Sequence, residues 1–212
     1  MDQKAFHKLY EATPEDVKYE LVGGVVYMAS PQREHHGSRN TELIAWLRNY
    51  KVATPGTQVT GDSTTILGKF SEPQPDGSLR VLPEYGGQCK PNKDGYLVGP
   101  PELVAETSHS TESYDLNQKL RDYHHAGVKE YLVVALRRER IYWHVRRRGT
   151  GPFVLLNPGA DGIYKSPFFG GLWLDPDALL RMDSEAVDTA LRNGLASAEH
   201  ARFVAALARQ KK

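Results

Sequence analysis

The sequence predicts a mixed α/β fold: one domain over residues 1–174 with a central mixed β-sheet flanked by helices, then a helical C-terminal extension over residues 175–212. Three observations predict it. The chain has 212 residues, 40% hydrophobic and 25% charged, which suits a single domain with an ordinary core. Residues 102–136 read as strand, helix, strand, the order of a crossover unit in a sheet with parallel neighbours. After Leu174 the pattern becomes wholly helical.

Phe6, Leu9 and Tyr10 recur at helical spacing, so residues 2–12 open the fold as a short amphipathic helix. Thr13-Pro14-Glu15 reads as a break, with Thr13 as a cap. Tyr19-Glu20-Leu21-Val22 and Val25-Val26-Tyr27-Met28 flank Gly23-Gly24, a hairpin signal, because paired glycines supply the positive φ of a primed turn. Pro31 closes the second strand. Leu43, Ile44, Leu47 and Tyr50, with Trp46 nearby, give residues 36–50 an apolar helical face.

Residues 58–67 predict one or two strands, and 78–83 a further one. Residues 84–101, rich in Gly, Pro, Asn and Asp, read as a long loop. Leu103-Val104-Ala105 is a buried strand that Glu106 ends. Residues 115–126 form a helix on Leu116, Leu120 and Tyr123, with Ser113 as its cap and Gly127 at C′. Residues 131–136 make a central strand, and 141–145 return from a turn that carries Arg137, Arg138 and Arg140. Short strands follow near 153–156 and 162–165, and helices at 176–182, 184–193 and 197–209.

A net charge of +1 argues against a protein that coats nucleic acid nonspecifically, while leaving room for a local basic groove. The single Cys89 excludes an intrachain disulfide framework and a Cys-x-x-Cys zinc cluster, and it fits a reducing cytoplasm. The start lacks an apolar signal core and no apolar run nears the ~20 residues of a membrane span, so the expectation is a soluble cytoplasmic protein.

The chemistry lies in Asp76, Glu106 and Lys119. Two carboxylates converging from separate strands can hold a hard divalent cation, and an ammonium beside them can orient water or offset charge forming on a phosphate. Each residue also has a plain structural reading. Pro75-Asp76-Gly77 is good turn chemistry, and on spacing alone the turn is the stronger reading. Glu106 fits a surface acid past its strand, and Lys119 an ion pair with Asp115 one turn earlier.

Glu20 is either a third acid or the partner of a lysine, and His35 and His36 either touch a phosphate or serve as polar first-turn residues. The arginines at 137, 138, 140, 146, 147 and 148 read first as solvated turn residues, and Tyr142 and Trp143 as core and dimer packing. Gly149-Thr150-Gly151 lacks the lysine of a phosphate loop. Ser108, His109 and Ser110 resemble a nucleophile–base pair in composition only.

These pieces together resemble the Uma family of restriction-endonuclease-like proteins, within the PD-(D/E)xK nuclease superfamily. The resemblance runs from Tyr19-Glu20-Leu21-Val22-Gly23-Gly24 through His36, Gln74-Pro75-Asp76 and Gly99-Pro100-Pro101-Glu102-Leu103-Val104-Ala105-Glu106. It continues through Tyr114-Asp115-Leu116-Asn117-Gln118-Lys119-Leu120 and Ala126-Gly127-Val128-Lys129-Glu130-Tyr131-Leu132-Val133, and the tail from Gly194 to His200 is similar to members with a helical extension. One departure stands out: Ser108 occupies the superfamily's usual lysine position, and Lys119 on the following helix takes its place.

The resemblance implies a restriction-endonuclease-like core and a metal-dependent DNA endonuclease acting on phosphodiester bonds. It further implies Mg²⁺ or Mn²⁺ held by Asp76, Glu106 and the Thr107 carbonyl, with Lys119 placing the attacking water. Glu20 and His36 line the cleft as secondary contacts, DNA is the partner, and the chain pairs as a homodimer with no membrane association. The rival from another class is a dimeric binding or structural module that keeps the nuclease fold without turnover. A third reading is hydrolysis of a smaller phosphoester.

Overall fold

The computed structural model of the protein describes residues 1–14, 17–28, 33–146 and 151–212. Glu15, Pro31, Arg147, Arg148, Gly149 and Thr150, used above, lie outside the described residues. Helix α1 (Gln3–Tyr10) starts where the Asp2 carboxylate accepts the Ala5 amide at 2.9 Å; it buries Phe6 and leaves Leu9 exposed. Strands β1 (Tyr19–Val22) and β2 (Val25–Met28) pair antiparallel across Gly23 and Gly24, whose φ values of 58° and 81° suit a primed turn. Helix α2 (Glu34–Ala53) buries Leu43, Trp46, Leu47 and Tyr50.

Strands β3 (Thr57–Thr60), β4 (Thr65–Ile66) and β5 (Gly77–Val81) follow. Residues 84–101, expected as a loop, carry structure of their own. A 3-10 turn (Pro83–Tyr85) leads to β6 (Lys90–Pro91) and β7 (Leu97–Val98), and β7 lies between β6 and β4 in a three-stranded sheet. Two-residue strands have no readable period, so turn composition concealed them.

Strand β8 (Leu103–Ser108) leads into α3 (Glu112–Tyr114), a π-helical turn (Asp115–Lys119) and α4 (Leu120–Ala126), which Gly127 ends with a φ of 99°. Ser113, expected to cap, sits inside α3, whose N-cap position is Thr111. Then come β9 (Glu130–Ala135), β10 (Arg140–Arg146), β11 (Phe153–Leu155), β12 (Tyr164–Lys165) and β13 (Trp173–Leu174). Helices α5 (Pro176–Arg181), α6 (Ser184–Leu195) and α7 (Ala198–Gln210) complete the chain. None of the described helices is long and apolar enough to cross a membrane.

The main sheet has the order β11-β10-β9-β8-β5-β3. Strands β8 and β9 run parallel, as a crossover requires, and the other adjacent pairs are antiparallel. Successive side chains on a strand point to opposite faces. Leu103 and Ala105 therefore enter the main core with Trp46 and Leu47 of α2 and with Leu179, Leu191 and Leu207 of the C-terminal helices. Val104 enters the second cluster, with Tyr123 of α4 and Tyr131. Glu106 has the parity of Val104, so it faces the α4 side.

Glu130 is a buried acid on the main-core side. It accepts from Ser166 Oγ at 2.8 Å, the Phe168 amide at 2.8 Å and Trp143 Nε1 at 3.2 Å, tying the segment before β13 to the sheet. Burial pushes its carboxyl up to about 7, against the pull of those donors.

Candidate active site

Asp76 stands immediately before β5, and its bend is set by packing as well as by turn chemistry. A Cβ on Gly77 would come within 2.9 Å of Ile44 Cδ1 on α2, so glycine lets the strand start close under that helix. The Asp76 carboxylate turns inward, and its Oδ2 accepts the Thr107 amide of β8 at 2.7 Å. His36 Nε2, from the first turn of α2, lies 3.6 Å from the same oxygen. Glu106 lies within β8, not past its end, and is only 4% exposed. Its Oε1 accepts from Lys119 Nζ at 2.9 Å and from Tyr123 OH at 2.9 Å, while its Oε2 lies 3.5 Å from the Asp76 amide.

The π-helical turn carries Asp115 and Lys119 inward together; such turns recur at functional sites. Lys119 Nζ also donates to Glu20 Oε1 at 3.0 Å and lies 3.9 Å from Asp115 Oδ1. Glu20 is fixed in turn by the Gln74 amide at 2.7 Å. Asp115 accepts from Ser108 Oγ and Thr111 Oγ1, each at 2.7 Å. Ser108, in the place of the usual lysine, thus supports the element that brings Lys119. Asp76, Glu106, Thr107, Lys119, Glu20 and His36 all line one cavity of about 360 Å³.

Its electrostatics favour a cation. Burial pushes Asp76 up to about 6, although the Thr107 amide and the charges of His36 and Lys119 pull the other way. Burial also lifts Glu106 well above the usual carboxylate range; Lys119 opposes this, and Asp76, Asp115 and Glu20 reinforce it. Desolvation alone would lower Lys119, but Glu106, Glu20 and Asp115 overrule it and keep the ammonium charged. Several carboxylates around one ammonium leave negative charge to be balanced by a proton or a metal ion.

Among the described residues no three His, Cys, Asp or Glu side chains form a ready metal cage. Mg²⁺ does not need one, since it commonly takes one or two carboxylates plus waters and phosphate oxygens. Asp76 Oδ1 accepts no hydrogen bond among the described residues, and Glu106 Oε2 has only the long contact above. Of the eight buried polar side-chain atoms without a partner among the described residues, three belong to residues that line this cavity: His36 Nδ1, Thr107 Oγ1 and Tyr114 OH. A polar floor with open oxygens fits a hydrated divalent ion.

Residues 4–177 match the model of the family Uma2, described as "Putative restriction endonuclease". The chain belongs to the Uma2 family. No curated protein matches the sequence. Among solved structures, the fold is similar to that of a protein from Anabaena variabilis described as "a putative nuclease belonging to DUF820". The TM-score is 0.57 at 11% identity, over 81% of this chain and 96% of that one.

In this Uma2 chain several site neighbours escaped the sequence reading. Tyr123 holds Glu106, and its position four residues after Lys119 on one helix was the available signal. Asp115 was read as an ion-pair partner and a first-turn acid, yet it also anchors the turn. His35 and His109 meet at the cavity wall, with ring centroids 4.6 Å apart, which no local pattern foretold. Of the hairpin arginines, Arg137 lines the cavity, whereas Arg138 pairs with Glu112 at 3.2 Å and Arg146 Nε donates to the Val128 carbonyl.

Proposed function

We propose that this protein is a divalent-metal-dependent endonuclease that hydrolyses DNA phosphodiester bonds. The observation that carries the proposal is the convergence of Asp76, Glu106 and Lys119 on one cavity, with Lys119 Nζ 2.9 Å from Glu106 Oε1. Membership of the family described as "Putative restriction endonuclease" supports it. Asp76 and Glu106, with the Thr107 carbonyl, would hold Mg²⁺ or Mn²⁺. When bound, that ion supplies charge neutralisation at the phosphate and a more acidic water.

The chain's own groups do the rest. Lys119, kept charged by its carboxylates, orients the attacking water and offsets charge that builds on the phosphate oxygens. Glu20 of β1 also fixes the ammonium, and Tyr123 fixes the Glu106 carboxylate. His36 steadies Asp76, and Arg33 and Arg137 on the cavity wall draw a polyanion toward its acidic floor.

The test is cleavage of plasmid and branched DNA with Mg²⁺ or Mn²⁺, comparing the wild type with Asp76→Ala and Lys119→Ala. Activity that EDTA removes, and that each variant lowers by roughly 100-fold or more, is the expected result. Equal activity in all three preparations overturns the assignment. The near-neutral charge of +1 favours one second reading, a homodimeric module that keeps the fold without turnover. Calorimetry separates the two: a folded dimer that takes up neither Mg²⁺ nor Mn²⁺ is the module.

A further inference from the structure

A second cavity of about 420 Å³ adjoins the first, and His35 and His109 line both. Helix α2 contributes Arg39 to it, the turn after β9 contributes Leu136 and Glu139, and α5 contributes Asp177, Leu180 and Arg181. Its volume lies in the range of roughly 300–1,000 Å³ typical of small-ligand pockets. Arg39 is its most specific feature. Its Nη2 donates to the Leu180 carbonyl at 2.9 Å, which fixes the guanidinium against α5, while its Nε is buried without a partner among the described residues. Neither Arg39 nor Arg181 forms an ion pair among the described residues.

Positive charge also gathers at the shared wall. Arg33 and Arg137 line the first cavity beside His35 and His109. The lining is mixed, and the mixture suits a nucleotide better than a bare anion. Guanidinium groups match phosphate oxygens. Imidazole and leucine surfaces can pack against a base, and a carboxylate can accept from an exocyclic amine.

We propose that the second cavity is a nucleotide subsite, holding the nucleotide next to the scissile bond of a single nucleic-acid strand, with Arg39 and Arg181 on its phosphate. The inference rests on reading the first cavity as the phosphodiester-cleaving centre. A base held in so small a recess cannot remain stacked in a duplex, so the strand is unpaired there.

The test is fluorescence anisotropy with a short fluorescein-labelled oligodeoxynucleotide, single-stranded or annealed, mixed with the full chain in EDTA so that nothing is cut. The single strand is expected to bind about 10-fold tighter than the duplex. Arg39→Gln and Arg181→Gln should each weaken single-strand binding about 5-fold and lower its salt slope by about 1. Because Arg39 also bridges α2 to α5, the exposed Arg181 is the decisive variant. Unchanged affinity in a folded Arg181→Gln protein, or equal binding of duplex and single strand, overturns the subsite. If Asp76→Ala abolishes cleavage while Arg181→Gln binds normally, the subsite alone fails. If Arg181→Gln weakens binding but the wild type never cleaves with Mn²⁺, the catalytic reading alone fails.

Discussion

Lys119 Nζ and Glu106 Oε1 lie 2.9 Å apart although thirteen residues of chain separate them. The contact exists because β8 presents Glu106 toward α4 and the π-helical turn brings Lys119 back over the strand. Both groups are buried, so removing one leaves the other uncompensated. Lys119→Met should therefore cost about 3 kcal/mol of folding stability, measured by urea unfolding, besides abolishing cleavage. A loss under about 1 kcal/mol would mean that water reaches the pair.

The cation proposed between Asp76 and Glu106 gives a binding signal that needs no turnover. Mn²⁺ should raise the Tm of the wild type, by the equivalent of about 2.7 kcal/mol at a hundredfold excess over Kd, and EDTA should reverse it. Asp76→Asn should remove most of that shift. A shift of the same size in the variant would place the bound ion elsewhere.

Glu130 predicts a pH dependence. Its carboxyl is raised from an ordinary 4.5 to about 7, so between those values the folded protein holds a proton that the unfolded chain has released. Stability falls as pH rises through that window and levels off above it, by roughly 3 kcal/mol in all. Asp76 contributes in the same direction below its value of about 6, so the wild type must be compared with Glu130→Gln. The difference between their unfolding free energies should slope from pH 4.5 to 7; parallel curves would show that Glu130 ionises normally.

The C-terminal helices are held by close backbone contact. A Cβ on Gly194 of α6 would lie 2.2 Å from the Gly171 carbonyl oxygen and 2.8 Å from Trp173 Cγ. Gly194→Ala should cost about 2 kcal/mol, seen as a lower melting temperature. Gly37, with nothing among the described residues within 4 Å of its would-be Cβ, is the control, and Gly37→Ala in α2 should be neutral or stabilising by up to about 1 kcal/mol. Similar melting of both variants would refute the contact.

Where the chain repeats a period it was legible: the Gly23-Gly24 hairpin, the apolar face of α2, the β8–β9 crossover and the three last helices all announce themselves locally. The site was legible only as residue types. Nothing near Glu106 tells that β8 continues to Ser108, because that depends on its pairing with β9 as far as Ala135. The role of Ser108 as a donor to Asp115 and the support of Lys119 by Glu20 need elements up to 99 residues apart to meet. Strands β6 and β7 stayed hidden because their order comes from β4 and not from their own sequence.

The central claim is that Asp76 and Glu106 share a divalent cation beside Lys119. Anomalous diffraction from crystals soaked in Mn²⁺ tests it most directly. The account predicts a manganese peak between the two carboxylates, within coordination distance of both and adjacent to Lys119 Nζ. A fully occupied peak elsewhere, or none in crystals whose cavity is open to solvent, would contradict it.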